Sequence, residues 1–173
     1  KPIPITTEGG HVTMAATTPR EFALFEFLKQ SKYSHISAER VVSGKGLVNL
    51  YNAICGVDGV SLPERTPAEI TAAALERKCP VCVEVLDLFC HFLGLAAGNL
   101  ALSYGAFGGI YIAGGIVPQL GKYFATSRFR ESFEAKGRFR DYMSRIPSFV
   151  VTHPYPGLAG LQGAAVLTGA TMN

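Results

Sequence analysis

Ile110-Tyr111-Ile112-Ala113-Gly114-Gly115-Ile116-Val117-Pro118 is the stretch that decides the fold. Four apolar residues held between Gly109 and Gly114 are too few and too glycine-bounded for a helix, so they read as a buried strand. Two glycines, an apolar residue and a proline follow. Paired glycines at the C-terminal end of a strand let a flat ligand lie against the backbone, which is where open α/β sheets bind ligands. The plain alternative is a tight strand–helix turn. No GxGxxG pattern is present, which argues against a dinucleotide fold.

On the N-terminal side, Pro80 opens a long helix running from Val81 to about Tyr104. Val85, Leu88, Phe89, Phe92, Leu93 and Ala96 give it a broad apolar face. No formal charge occurs from Leu88 to Gly121, a span longer than a membrane crossing requires. It also holds His91, Asn99, Ser103, Pro118, Gln119 and eight glycines, so a buried helix followed by a buried strand explains it better.

Further out, local signals mark other elements. Thr18-Pro19-Arg20-Glu21 and Thr66-Pro67-Ala68-Glu69 are capping-box helix starts, the second helix running to about Lys78. Phe22, Phe25 and Leu28 share a face of the first. Ser37 caps a short helix at Ala38-Glu39-Arg40. Ser43-Gly44-Lys45-Gly46 breaks it, and a helix resumes at Leu47–Ile54. Extended stretches fit Ile3–Thr6, Val12–Ala15 and Ser148–Thr152. Helices fit Leu120–Ala125, Arg128–Lys136 and Leu158–Thr168. Few strands alternating with many helices make an α/β chain, with no internal domain boundary.

The bulk numbers agree. With 173 residues, 48% hydrophobic and 17% charged, the chain is one domain or a large piece of one, and not a disordered segment. A net charge of +3 is too mild for nucleic-acid binding, and Glu131, Glu134 and Asp141 interrupt the basic residues of Arg128–Arg145. No signal-peptide pattern occurs. The chain opens Lys1-Pro2-Ile3-Pro4-Ile5, as if entered mid-protein. Cys79 and Cys82 form a CxxC, with Cys55 and Cys90 elsewhere. A zinc site lacks two further well-spaced ligands, and a redox pair would usually follow a strand, so inert packing is the favoured reading. Four free thiols fit the reducing cytoplasm.

Three groups could carry chemistry. Glu8-Gly9-Gly10-His11 sets a carboxylate and an imidazole at either end of one glycine loop, which suits hydrogen bonding to a polyol. A polar surface turn explains it equally well. Glu39 sits in a first helical turn, where the helix dipole favours its charge. Ser43-Gly44-Lys45-Gly46 lacks the first glycine and the Ser/Thr of a phosphate loop and is rejected as one.

Taken together, several stretches resemble the bacterial glucokinases of the actin–hexokinase–Hsp70 superfamily. They are Thr7–His11, Ser37–Arg40, Ser43–Tyr51, Gly98-Asn99-Leu100-Ala101-Leu102, Phe107–Pro118 and Gly137-Arg138-Phe139, in family order. The resemblance implies an α/β, ribonuclease-H-like large lobe of a two-lobed sugar kinase, incomplete at its N-terminus and spanning residues 1–173. It implies a glucose contact at Glu8, His11 and Glu39, and an adenosine site at Gly114, Gly115 and Ile116. The catalytic aspartate, the phosphate loops and the remaining sugar contacts are expected in the missing part, so no catalytic or metal-binding residue is assigned here. The parent would transfer phosphate from ATP with Mg2+ to the 6-hydroxyl of glucose, as a cytoplasmic homodimer without nucleic-acid or membrane partners. This chain alone would be inactive. The alternative is the sugar-binding module of a transcriptional regulator; an inactive remnant and a kinase for another hexose are further rivals.

Overall fold

The computed structural model describes residues 7–168, so the strand expected at Ile3–Thr6 lies outside the described residues. Thr18 caps α1 (Pro19–Ser31) by accepting from the Glu21 N–H at 3.2 Å. The Glu21 carboxylate reaches back one residue beyond the cap, to the Thr17 N–H at 2.6 Å and hydroxyl at 2.9 Å. The buried stripe of α1 is Glu21, Leu24, Phe25 and Leu28. Phe22, expected on that face, is 59% exposed. The helical period is obeyed; the charged member of the stripe hid its true phase.

α2 (Gly44–Asp58) begins where the sequence suggested a break. Ser43 Oγ accepts from the Gly46 N–H at 2.9 Å, making Ser43-Gly44-Lys45-Gly46 a cap and first turn. Gly46 answers to space: a Cβ there would stand 2.6 Å from the Val41 carbonyl carbon. The expected Ser37 cap is absent. Ala38–Arg40 is one 3₁₀ turn, and Ser37 forms a single antiparallel bridge with Thr13. That bridge is all that the Val12–Ala15 strand amounts to.

α3 (Pro67–Leu75) carries the full Thr66–Glu69 capping box. It stops short of Lys78, with Arg77 in the left-handed region at φ +54°. α4 (Pro80–Tyr104) is the central helix. It packs most extensively on α7 (Phe129–Glu134), then on α3 and α2. By length and composition alone α4 could cross a membrane, yet most of its apolar window is buried in this fold. Its Gly94 permits the α7 contact, since a Cβ there would lie 2.3 Å from the Phe129 carbonyl oxygen.

Beyond α4 come β1 (Ile110–Ile112), α5 (Ile116–Leu120), α6 (Lys122–Ala125), then α7, α8 (Arg140–Ser144), β2 (Ser148–Val150) and α9 (Pro156–Thr168). β1 and β2 pair in parallel, Ile110 opposite Ser148 and Ile112 opposite Val150. β1 is not the buried strand expected. Ile112 is buried, but Tyr111 is 66% exposed and stacks on Phe149 at 4.9 Å. Side chains alternate along a strand, and the Tyr111 face carries no covering element among the described residues. α8 went unread because five residues are too few to show a period.

Two polar assemblies join the helices. Arg20 of α1 pairs with Asp58 of α2 at 2.5 Å and Glu84 of α4 at 2.8 Å. Deeper, His91 of α4 meets Ser132 of α7 through Nδ1 at 2.7 Å. His91 Nε2 lies 3.3 Å from the Glu21 carboxylate, out of line for a hydrogen bond, so that contact is electrostatic.

Candidate functional site

Glu8, His11 and Glu39 converge. Gly9–His11 forms a 3₁₀ turn closed by the His11 N–H to the Glu8 carbonyl at 2.9 Å. Ala38–Arg40 forms another, and the segments are zipped by Met14 N–H to Ile36 O at 2.9 Å and Ala38 N–H to Val12 O at 3.0 Å. The His11 Nε2 consequently lies 3.6 Å from a Glu39 oxygen and 3.9 Å from a Glu8 oxygen. All three side chains are well exposed, so two carboxylates and an imidazole face open space with free hydrogen-bonding capacity. The glycines between Glu8 and His11 are not demanded by crowding. A Cβ at Gly9 or Gly10 would find its nearest neighbours at 3.8 and 3.9 Å, ordinary contacts.

Glu39 stands on a braced turn. Ser43 Oγ donates to the Glu39 carbonyl at 2.7 Å. Buried Asn49 donates to the Arg40 carbonyl at 2.8 Å and accepts from the Tyr33 hydroxyl at 3.1 Å. The Arg40 guanidinium lies over the Tyr33 ring at 4.2 Å. Sequence reasoning missed Asn49. Its signal was a polar residue among the apolar inward positions of α2 (Leu47, Leu50, Ile54). Beside the cluster, a cleft of about 360 Å³ is lined by residues that include Gly9, Thr13, Ala38, Asn99 and Ser103. Asn99 Oδ1 accepts there from Lys136 Nζ at 2.8 Å.

Gly114, Gly115 and Ile116 form the second group. Gly114 adopts φ +124°, a region closed to ordinary side chains, and turns the chain from β1 into α5. No heavy atom would meet a Cβ at either glycine within 4 Å, so the backbone here is open to a ligand. Gly114, Gly115 and Ile116 line a second, largely apolar cleft of about 120 Å³ with Phe89, Leu93 and Val42. Val42 follows Glu39 by three residues, so one short segment borders both groups.

The family model described as Glucokinase matches residues 1–168. The chain belongs to the glucokinase family. It is 49% identical to a glucokinase of Paramagnetospirillum magneticum over 92% of this chain and 49% of that protein. It is 50% identical to one from Aromatoleum aromaticum over 91% of this chain and 47% of that protein. Among solved structures, glucokinase from an Antarctic psychrotroph matches with a TM-score of 0.85 and 38% identity, covering 96% of this chain and 51% of that one. Balamuthia mandrillaris glucokinase, solved in complex with glucose, matches with a TM-score of 0.71 and 25% identity, covering 87% and 44%. This glucokinase-family chain therefore spans about half the length of the curated relatives it matches. The mixed helix–sheet architecture is that of an α/β kinase. These relatives and structures do not favour the regulator reading.

Proposed function

We propose that the parent of this chain transfers phosphate from ATP to the 6-hydroxyl of glucose, and that residues 1–173 are its ribonuclease-H-like large lobe. The observation that carries this reading is the convergence of Glu8, His11 and Glu39 from two separate turns, next to an apolar glycine cleft. A family relative holds glucose, which supports the sugar as substrate. In the proposal the two carboxylates accept from ring hydroxyls, the imidazole donates or accepts, and the 6-hydroxyl is left free to react. Adenosine lies on Gly114 and Gly115 with its base against Ile116 and Phe89.

The aspartate that takes the 6-hydroxyl proton belongs, by the family resemblance, to the part of the relatives this chain does not span. The 6-oxygen then attacks the γ-phosphorus and ADP leaves. Lobe closure would exclude water, the competing acceptor. Mg2+ would travel with the nucleotide: among the described residues no cluster of three His, Cys, Asp or Glu could hold a metal. The ion would neutralise charge on the transferring phosphate. The parent is also proposed to be cytoplasmic, as its free thiols suggest, and to pair with a second copy, which the exposed Leu100, Leu102, Tyr104 and Phe107 would suit.

The test is an ATP-dependent assay on the gene's full product, coupled to a 6-phosphate dehydrogenase. Turnover with glucose, absent from the 173-residue chain, is the expected result. A folded full-length protein inactive on glucose and on other hexoses would overturn the enzyme reading.

A further inference from the structure

The CxxC of Cys79 and Cys82 is untouched by sugar or nucleotide, and its placement suits more than packing. Cys79 is the N-cap of α4, the longest described helix, with Pro80 at the first helical position and Cys82 one turn in. The Cys79 side chain makes no capping hydrogen bond, but its residue sits at the positive end of the helix dipole. The two cysteines differ in access. Cys82 is wholly buried, whereas Cys79, itself buried at 8% exposure, lines an open pocket of about 290 Å³ with Arg65, Lys78, Glu69 and Glu76. Arg65, whose Nε is buried with no hydrogen-bond partner among the described residues, lines the same pocket and brings a positive charge to it. Neither Cys55 nor Cys90 lines this pocket, although Cys55 lies close enough to Cys79 and Cys82 to feel their charge. No three-ligand metal cluster involves the pair among the described residues.

We infer that Cys79 and Cys82 form a redox-active pair, Cys79 reacting with hydrogen peroxide and Cys82 closing the disulfide. In the first step the Cys79 thiolate attacks one peroxide oxygen. The O–O bond breaks, sulfur is oxidised to sulfenic acid, and the other oxygen leaves as water after taking a proton. In the second step the Cys82 sulfur attacks Cys79. An S–S bond forms, the S–O bond breaks, and the Cys82 proton leaves with the hydroxyl as a second water. One peroxide is reduced and two thiols are oxidised. The acid–base environment supports this order. Burial raises the Cys79 thiol, but the Cys82 amide and thiol and the nearby Arg65 more than offset it, so Cys79 falls below the usual thiol range. Burial, then the contact with Cys79, pushes Cys82 up to about 12.

The test exposes the folded chain, and separately the gene's full product, to hydrogen peroxide, then alkylates and maps all four cysteines by mass spectrometry. The expected result is a Cys79–Cys82 disulfide, reversible by a thiol reductant, with Cys55 and Cys90 still alkylatable. Iodoacetamide at pH 7 should modify Cys79 about tenfold faster than Cys55 before oxidation. In Cys82→Ser, peroxide should leave a Cys79 sulfenic acid trapped by dimedone. Equal oxidation of Cys55 and Cys79, or a Cys82→Ser protein with no dimedone adduct at Cys79, would overturn the inference. The unmodified protein carries the first readout, so the result does not depend on any variant folding.

Discussion

Asn49 makes a residue-scale point about the cluster of Glu8, His11 and Glu39 proposed to hold sugar. It touches no proposed ligand, yet it joins the Arg40 carbonyl to the Tyr33 hydroxyl and so braces the turn that presents Glu39. Asn49→Ala would leave the part-buried Arg40 carbonyl and Tyr33 hydroxyl without this partner, and a loss of about 1–3 kcal/mol is expected in a urea melt. Glu39 itself should behave differently. Glu39→Gln keeps the side chain's shape and removes the charge, so in the full-length parent sugar binding should weaken roughly 10- to 100-fold, the scale of one charged hydrogen bond. Nucleotide affinity should stay within about twofold, because Gly114 and Gly115 offer backbone and not charge. Equal losses for both ligands by calorimetry would remove Glu39 from the sugar site. The residues of the site were legible in the sequence as types on loops. Their convergence was implied by the family resemblance and by no local pattern, because His11 and Glu39 meet only through the pairing of Met14 with Ile36 and of Ala38 with Val12.

Element boundaries show where local rules suffice and where they fail. Thr18 and Thr66 were readable as caps because a cap's partners lie within three or four residues. Ser43 misled because its glycines looked like a break, while Gly46 serves the close approach of α2 to Val41, a contact no local pattern announces. The pairing of α4 with α7 follows the same logic. In an isolated helix Gly94→Ala would be favourable by about 1 kcal/mol. Here the added methyl would meet the Phe129 carbonyl oxygen at 2.3 Å, backbone that cannot turn aside. The clash outweighs propensity, and a net destabilisation of about 1–3 kcal/mol is expected. A thermal melt in which Gly94→Ala is as stable as the parent would show that α7 can shift.

At the scale of the whole molecule, stability should fall with acid. Burial holds His91 below the ordinary imidazole value, against the pull of the Glu21 charge. Its charged neighbours are Glu21 on α1, Asp87 on α4, and Arg128 and Glu131 at α7. An unfolded His91 takes a proton below about pH 6.5 and the folded one resists, so the unfolded state binds more protons and stability drops as pH falls from there. Glu21 adds in the same direction. Burial raises it, but the Thr17 amide and hydroxyl and His91 more than compensate. Its contribution, present above the unfolded carboxyl value of about 4.3, is lost as pH falls through the folded one. Urea melts from pH 7 to 5 should show stability falling with acid, this one group contributing at most about 1.4 kcal/mol per pH unit. His91→Gln should flatten it, whatever its effect on absolute stability. An unchanged slope would mean that His91 is not the group responsible.

By itself the sequence determined the α/β alternation, the caps at Thr18 and Thr66, a strand just before Gly114-Gly115 and, through ordered motifs, the family. Those features depend on neighbours a few residues apart or on the order of short motifs, and both are written along the chain. Tertiary structure alone decided which face of α1 is buried, that Tyr111 stays exposed, and which contacts bring Glu8, His11 and Glu39 together. It also set Cys79, though buried, on a pocket that Cys82 does not line. The physical reason is common to all of these. Burial and convergence are set by which distant elements pack together, and that choice balances apolar area, close backbone approach and buried charge over the whole molecule.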